Sequence, residues 1–158
     1  MSESLPDDAA ASPRASTEMP DSPPSPTMLL VLQGRMMGDL VDARLAEIGL
    51  TLRQFGFLGH LARTPGLSFT ELAARARITV QSAHTIIGRL AADGLVDAVD
   101  STRGRAATLT LTGTGRERLE QADAIVREID RERFDDATTP AWTELGAALR
   151  ATAPPPFR

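Results

Sequence analysis

The chain has 158 residues, a formal net charge of −4, no cysteine and no lysine, so that its 17 Lys-plus-Arg residues are all arginine. One domain with a real core is the natural count at this length, and without cysteine the chain can form no disulfide, thiolate metal site or thiol redox sensor of its own. The acidic total speaks against a nucleic-acid partner only until its distribution is read. Residues 1–27 hold Glu3, Asp7, Asp8, Glu18 and Asp21 against Arg14 alone, so from Met28 onward sixteen arginines balance sixteen acids.

Residues 1–27 are rich in Ser, Pro, Ala and acids, too poor in apolar surface to order themselves, and are expected to form a disordered leader. A basic start followed by an apolar run is missing, so the segment does not read as a signal peptide. No stretch of the chain approaches a membrane span in length. Met28 to Ile48 carries Leu29, Leu32, Met36, Leu40, Val41, Leu45 and Ile48 at three- and four-residue intervals, the pattern of an amphipathic helix that Gly49 ends. Thr51 with Gln54 forms a capping box for a second helix, Leu52 to Arg63, with Phe55, Leu58, Leu61 and Ala62 inward. Thr64-Pro65-Gly66 is a turn.

The next thirty residues carry the most information. Ser68 and Glu71 make another capping box, opening a helix that buries Leu72, Ala73 and Ala76. Arg77-Ile78 forms a turn in which Ile78 can fill the angle between two helices, and Thr79 caps the next helix. Along it Ala83, Ile86, Ile87 and Leu90 form one apolar stripe, leaving Gln81, Ser82, His84, Thr85, Gly88 and Arg89 outward. Asp93-Gly94 stops it. A short polar-faced helix held by a preceding capped one suits insertion into a DNA major groove. Leu95 to Asp100 and Ala106 to Thr112 alternate as strands around the loop Ser101 to Arg105. The expected fold class is therefore mainly α with a small β-hairpin wing, a winged helix-turn-helix. Between Leu61 and Leu111 six arginines outnumber four acids. The candidate contacts to double-stranded DNA are Thr79, Gln81, Ser82, His84, Thr85 and Arg89 on the second helix, Arg77 at the turn, and Arg103 and Arg105 at the wing tip.

Thr112 can cap a long helix from Gly113 to about Phe134, whose Leu119, Ala122, Val126 and Ile129 form a seam for another helix, widened by Ile125. Thr139-Pro140 opens a last helix with Trp142, Leu145, Ala148 and Leu149. A domain over 28–151 is expected, with a reader at about 51–112 between dimerisation helices at about 28–48 and 113–151, followed by a Pro-rich tail at 152–158. Terminal helices flanking the reader predict a homodimer.

Enzyme chemistry finds little support. His60 and His84 are the only histidines, and their separation has no metal-binding spacing. His60 reads as a structural histidine beside the apolar stripe. Asp135-Asp136 at a helix end reads as a solvated pair, and Gly113-x-Gly115 lacks the third glycine of a nucleotide loop. No catalytic residue, cofactor or metal is expected. The alternative to DNA reading is a winged helix used for protein contact, but Arg75, Arg77, Arg103 and Arg105 favour DNA.

The order of motifs resembles the multiple-antibiotic-resistance regulator (MarR) family: Gly49-Leu50-Thr51, Glu71-Leu72-Ala73, Gly94-Leu95-Val96, a wing, then Leu111-Thr112-x-x-Gly115-Arg116. The resemblance covers roughly Leu29 to Leu149. It implies a homodimeric bacterial transcription factor of the cytoplasm, in most cases a repressor, with terminal helices as the dimer interface. It also implies release from DNA by a small aromatic or anionic effector held between the dimer helices and the reader. Two departures stand out. Where the family's wing usually has Asp-Arg-Arg-Ala, this chain has Arg103, Gly104, Arg105 and Ala106, and where the recognition helix often has arginine it has Thr85.

Overall fold

Residues 23–99, 107–135 and 139–152 are described by a computed structural model. The first helix, α1 (Pro26–Ala46), opens on a proline, whose missing N–H is no loss at that position. It thus begins two residues ahead of the start read from the sequence. At its end Gly49 takes φ +73°, and the Gly49 and Leu50 N–H groups return to the carbonyls of Ala46 and Leu45 at 3.0 and 3.1 Å. This is a Schellman stop, and it delivers Leu50 into the core. Helix α2 (Leu52–Arg63) has the expected capping box: Gln54 donates its N–H to Thr51 Oγ1 at 3.2 Å, and Thr51 donates its own to Gln54 Oε1 at 2.9 Å. Asp42 of α1 adds a further acceptor, taking the Leu52 N–H at 2.6 Å.

The buried face of α2 differs from the one expected. Phe57, Leu58 and Leu61 are buried, Phe55 is half-buried and Ala62 is exposed. The helix packs against α1, α3, α5 and β3, and its covered arc centres on Phe57 rather than Phe55.

Strand β1 (Leu67–Ser68) runs directly into α3 (Phe69–Ala76), followed by α4 (Val80–Ala92), β2 (Val96–Val99) and β3 (Thr108–Leu111). The strands form an antiparallel sheet in the order β1-β3-β2, with Leu67 opposite Leu109 and Val96 opposite Leu111. Two residues are too few for alternation to show, which is why β1 has no signature in the sequence. One core joins Phe57, Leu58 and Leu61 of α2 to Leu72, Ile87, Leu90 and Leu109, with Leu45, Leu50 and Ala122 closing it. Each such fully buried large side chain contributes about 1.5–3 kcal/mol.

Helix α5 (Gly113–Asp130) is capped by Thr112, whose Oγ1 accepts the Gly115 N–H at 2.9 Å and donates to Gly94 O at 2.7 Å. The Thr112 N–H meets Leu95 O at 3.2 Å. A Cβ on Gly115 would lie 2.0 Å from that same carbonyl oxygen. Glycine and threonine together let the start of α5 sit directly on the end of α4.

Rather than continuing as α-helix to about Phe134, the chain widens into a π-helical turn at Arg131–Asp135 before α6 (Pro140–Thr152). The turn accompanies the packing of Phe134 on Gly146, where a Cβ would come within 2.8 Å of the Phe134 Cβ, and beside Trp142. Arg44 of α1 ties to α5 and to this turn through Glu128 at 3.0 Å and Glu132 at 3.7 Å.

Candidate nucleic-acid interface

Local chemistry fixes the helix-turn-helix at both ends of each helix. Glu71 donates its N–H to Ser68 Oγ at 3.3 Å, and Glu71 Oε2 accepts from the Ser68 N–H and hydroxyl at 2.8 Å each. The Ser68 N–H, then its hydroxyl, hold the Glu71 carboxyl below the usual carboxylate range, with a smaller contribution from Arg75. Helix α3 then stops as α1 does. The N–H of Arg77 reaches Ala74 O at 3.2 Å and that of Ile78 reaches Ala73 O at 3.0 Å. Here the left-handed residue is Arg77, at φ +53°, where glycine is usual. A side chain in that conformation costs about 1–2 kcal/mol. Ile78 packs against the core, as the sequence suggested.

Helix α4 opens on Thr79, whose Oγ1 accepts the Ser82 N–H at 3.1 Å and lies 2.9 Å from Ser82 Oγ. Thr79 and Ser82 therefore bond each other at the cap. Ala83, Ile87 and Leu90 are buried, with Ile86 half-buried beside them. Gln81, His84, Thr85 and Gly88, spaced three, one and three residues apart, form one exposed stripe on the opposite side, with Arg89 next to it. The Thr85 hydroxyl donates to Gln81 O at 3.2 Å, leaving its lone pairs outward. A Cβ on Gly88 would meet nothing within 4 Å, so the stripe is open at that point.

The structure thus brings Gln81, His84, Thr85 and Arg89 together and sets Arg77, also exposed, at the turn beside them. Arg103 and Arg105 lie outside the described residues. Arg75 is committed elsewhere, donating to Thr64 Oγ1 at 2.7 Å. One partner had no sequence signal. Phe69, the first residue of α3, stacks on His84 with ring centroids 3.9 Å apart and planes 12° from parallel. The two are fifteen positions apart on different helices, beyond the reach of any local pattern.

His60 lies half-buried on α2, and burial first, then Arg63 and Arg75, push its pKa below the ordinary value. Among the described residues no three His, Asp or Glu side chains cluster as metal ligands, and no helix is long and apolar enough to cross a membrane. Asp135 accepts from Arg150 at 3.1 Å, while Asp136 lies outside the described residues. Clefts lie along more than one side of α2. One, of about 560 Å³, runs along α1 between Arg35 and Arg53, and another, of about 320 Å³, lies against α5 between Phe55, Arg63, Leu119 and Asp123.

A sequence profile described as the MarR family matches residues 48–107. The HTH-type transcriptional repressor Rv2887 of Mycobacterium tuberculosis is 37% identical over 122 residues, which cover 77% of this chain and 88% of the relative. The crystal structure of that MarR family protein in complex with DNA superimposes with a TM-score of 0.69 at 32% identity, covering 84% of this chain and 100% of the other. Its complex with salicylic acid gives a TM-score of 0.65 at 34% identity, covering 85% of this chain and 100% of the other.

Proposed function

Because this chain belongs to the MarR family, we propose that it is a homodimeric, sequence-specific regulator of transcription, a repressor that leaves double-stranded DNA when a small molecule binds. The observation that carries this reading is the exposed stripe Gln81, His84, Thr85 and Gly88 on a helix whose start, stop and preceding turn are all locally fixed. In this reading α4 enters the major groove, Gln81 pairs with a base edge, and Thr79, Ser82, Thr85, Arg77 and Arg89 meet bases or phosphates around it. Arg103 and Arg105 grip the backbone or the minor groove from the wing tip. Catalysis has no place in it, and the protein acts where the DNA is, in the cytoplasm.

The dimer follows from α1. Leu30 and Met36 are 62% and 66% exposed, with Met28, Leu29, Val31 and Leu32 also bare and Leu149 on α6 likewise. A second copy covers this apolar surface, as the terminal position of both helices suggests. The effector is a small aromatic anion, by analogy with the relative that binds salicylic acid. The cleft between α2 and α5 offers it the Phe55 ring and the Arg63 guanidinium.

Selection of bound sequences from a random duplex pool tests the reading. An inverted repeat with half-site centres roughly 34 Å apart is expected, together with release by millimolar salicylate. A pool that shows no enrichment removes DNA reading and leaves the exposed stripe as a protein-contact surface.

A further inference from the structure

We propose that Phe69 is a positioning residue for DNA reading: it clamps the imidazole of His84 so that His84 donates to a guanine in each half-site. The proposal rests on the DNA-reading assignment above and names a base contact within it. Three observations carry it. The His84 ring lies flat on that of Phe69, with centroids 3.9 Å apart, at a position exposed to solvent. Among the described residues the imidazole has no hydrogen-bond partner. Phe69 is half-buried and packs against the core, at the start of a helix that the Ser68–Glu71 capping box holds.

The physical consequence is preorganisation. An exposed side chain that must find one rotamer on binding loses conformational freedom at that moment, whereas a stacked ring has lost it on folding. His84 also sits mid-stripe, three residues after Gln81 and four before Gly88, whose open space lets a groove edge approach closely. An imidazole N–H is a donor, and in the major groove guanine presents two acceptors, N7 and O6, side by side.

The test compares the full-length protein with F69L, F69Y, H84A and the F69L/H84A double variant. Each is titrated by fluorescence anisotropy against the selected operator, its single-base-pair variants and random duplex, with melting temperature recorded alongside. H84A is expected to lower the ratio of operator to random affinity about tenfold and to erase a guanine preference at one symmetric pair of positions. F69L should lose the same preference at the same positions, the double variant should be no worse than H84A, and F69Y should retain it. If F69L weakens operator binding equally with and without His84, or evenly across all base pairs, Phe69 only packs the fold and the proposal is overturned. It is also overturned if H84A keeps every base preference of an otherwise selective protein, in which case the DNA-reading assignment still stands. A parent protein with no operator preference would refute that assignment first, and this proposal with it.

Discussion

Replacing Gly115 by alanine sets two opposed effects against each other at the junction of α4, the wing and α5. In a helix interior alanine is favoured over glycine by about 0.5–1 kcal/mol, so propensity alone predicts a more stable protein. The packing predicts the reverse. The new Cβ would lie 2.0 Å from Leu95 O and 2.9 Å from the Leu95 carbonyl carbon, whereas carbon and oxygen approach to about 3.3 Å. More than about 1 Å of movement is therefore needed, and it must come from backbone. Leu95 cannot retreat easily: its side chain is buried and its carbonyl accepts the Thr112 N–H at 3.2 Å. Moving α5 instead strains the Thr112–Gly94 bond of 2.7 Å. Overpacking costs about 1–3 kcal/mol and each weakened hydrogen bond about 1 kcal/mol. After the propensity gain, a net loss of about 1–3.5 kcal/mol remains, which lowers the melting temperature by about 2–14 °C in a protein of this size. Scanning calorimetry at fixed protein concentration reads it, since dimerisation makes melting concentration-dependent. Gly113→Ala is the control: no atom lies within 4 Å of its new Cβ, and the expected change is under about 1 kcal/mol. A Gly115→Ala protein that melts with or above the parent would refute the argument that this glycine exists for close backbone approach.

Arg77→Gly should separate stability from affinity. It relieves a left-handed backbone cost of about 1–2 kcal/mol, partly returned by the greater freedom of glycine in the unfolded chain. The protein should melt slightly higher yet bind operator and random DNA more weakly, the slope of log K against log salt flattening by about 0.9 for one lost phosphate contact. Gln81→Ala should relax base preference at one or two symmetric positions with its salt slope almost unchanged, while Arg105→Ala should weaken operator and random DNA alike and flatten the slope. Titrations at several salt concentrations distinguish them, and an unchanged slope for Arg105→Ala would mean the wing does not touch the backbone. His60 predicts a pH effect. Its folded-state pKa lies below the unfolded value of 6.5, so the unfolded chain binds the extra proton. Stability should be full above that pH, fall as pH drops through 6.5 toward the lower folded value, and level off beneath it. Urea melts across this range should show the segment in the parent and lose it in His60→Gln.

What was legible in the sequence was whatever short-range chemistry decides. Thr51, Ser68, Thr79 and Thr112 each cap a helix by a bond to the residue three positions on, and all four were readable from neighbouring letters. Gly49 and Gly94 were readable as stops for the same reason. The outward stripe of α4 followed from the buried one. What escaped depends on partners far along the chain. Phe57 outranks Phe55 because elements far along the chain, α5 and β3 among them, pack on α2, and β1 exists only because Leu109 lies opposite Leu67. The long helix changes to a π-helical turn where Phe134 meets Gly146. Arg77 was legible as a turn residue but not as a left-handed one, because the position that glycine usually takes is filled here by a residue with a side chain. Phe69 was hidden more completely, since nothing near it in the chain indicates His84.

The contact between Gly115 and Leu95 also sets a mechanical gain. Helix α5 has 18 residues, so at 1.5 Å per residue it is about 27 Å long. A tilt of about 5° about its far end would carry the junction, and α4 with it, sideways by about 2.4 Å over that length. In a two-fold dimer the partner moves the opposite way, and the separation of the two α4 helices changes by about 5 Å, more than the roughly 3.4 Å between successive base pairs. A molecule lodged against α5 therefore needs to turn it only slightly to take the second α4 out of step with the next groove. Because the chain has no cysteine, a single Arg89→Cys substitution would place one spin label per α4, and the distance between labels in the dimer would measure that gain directly.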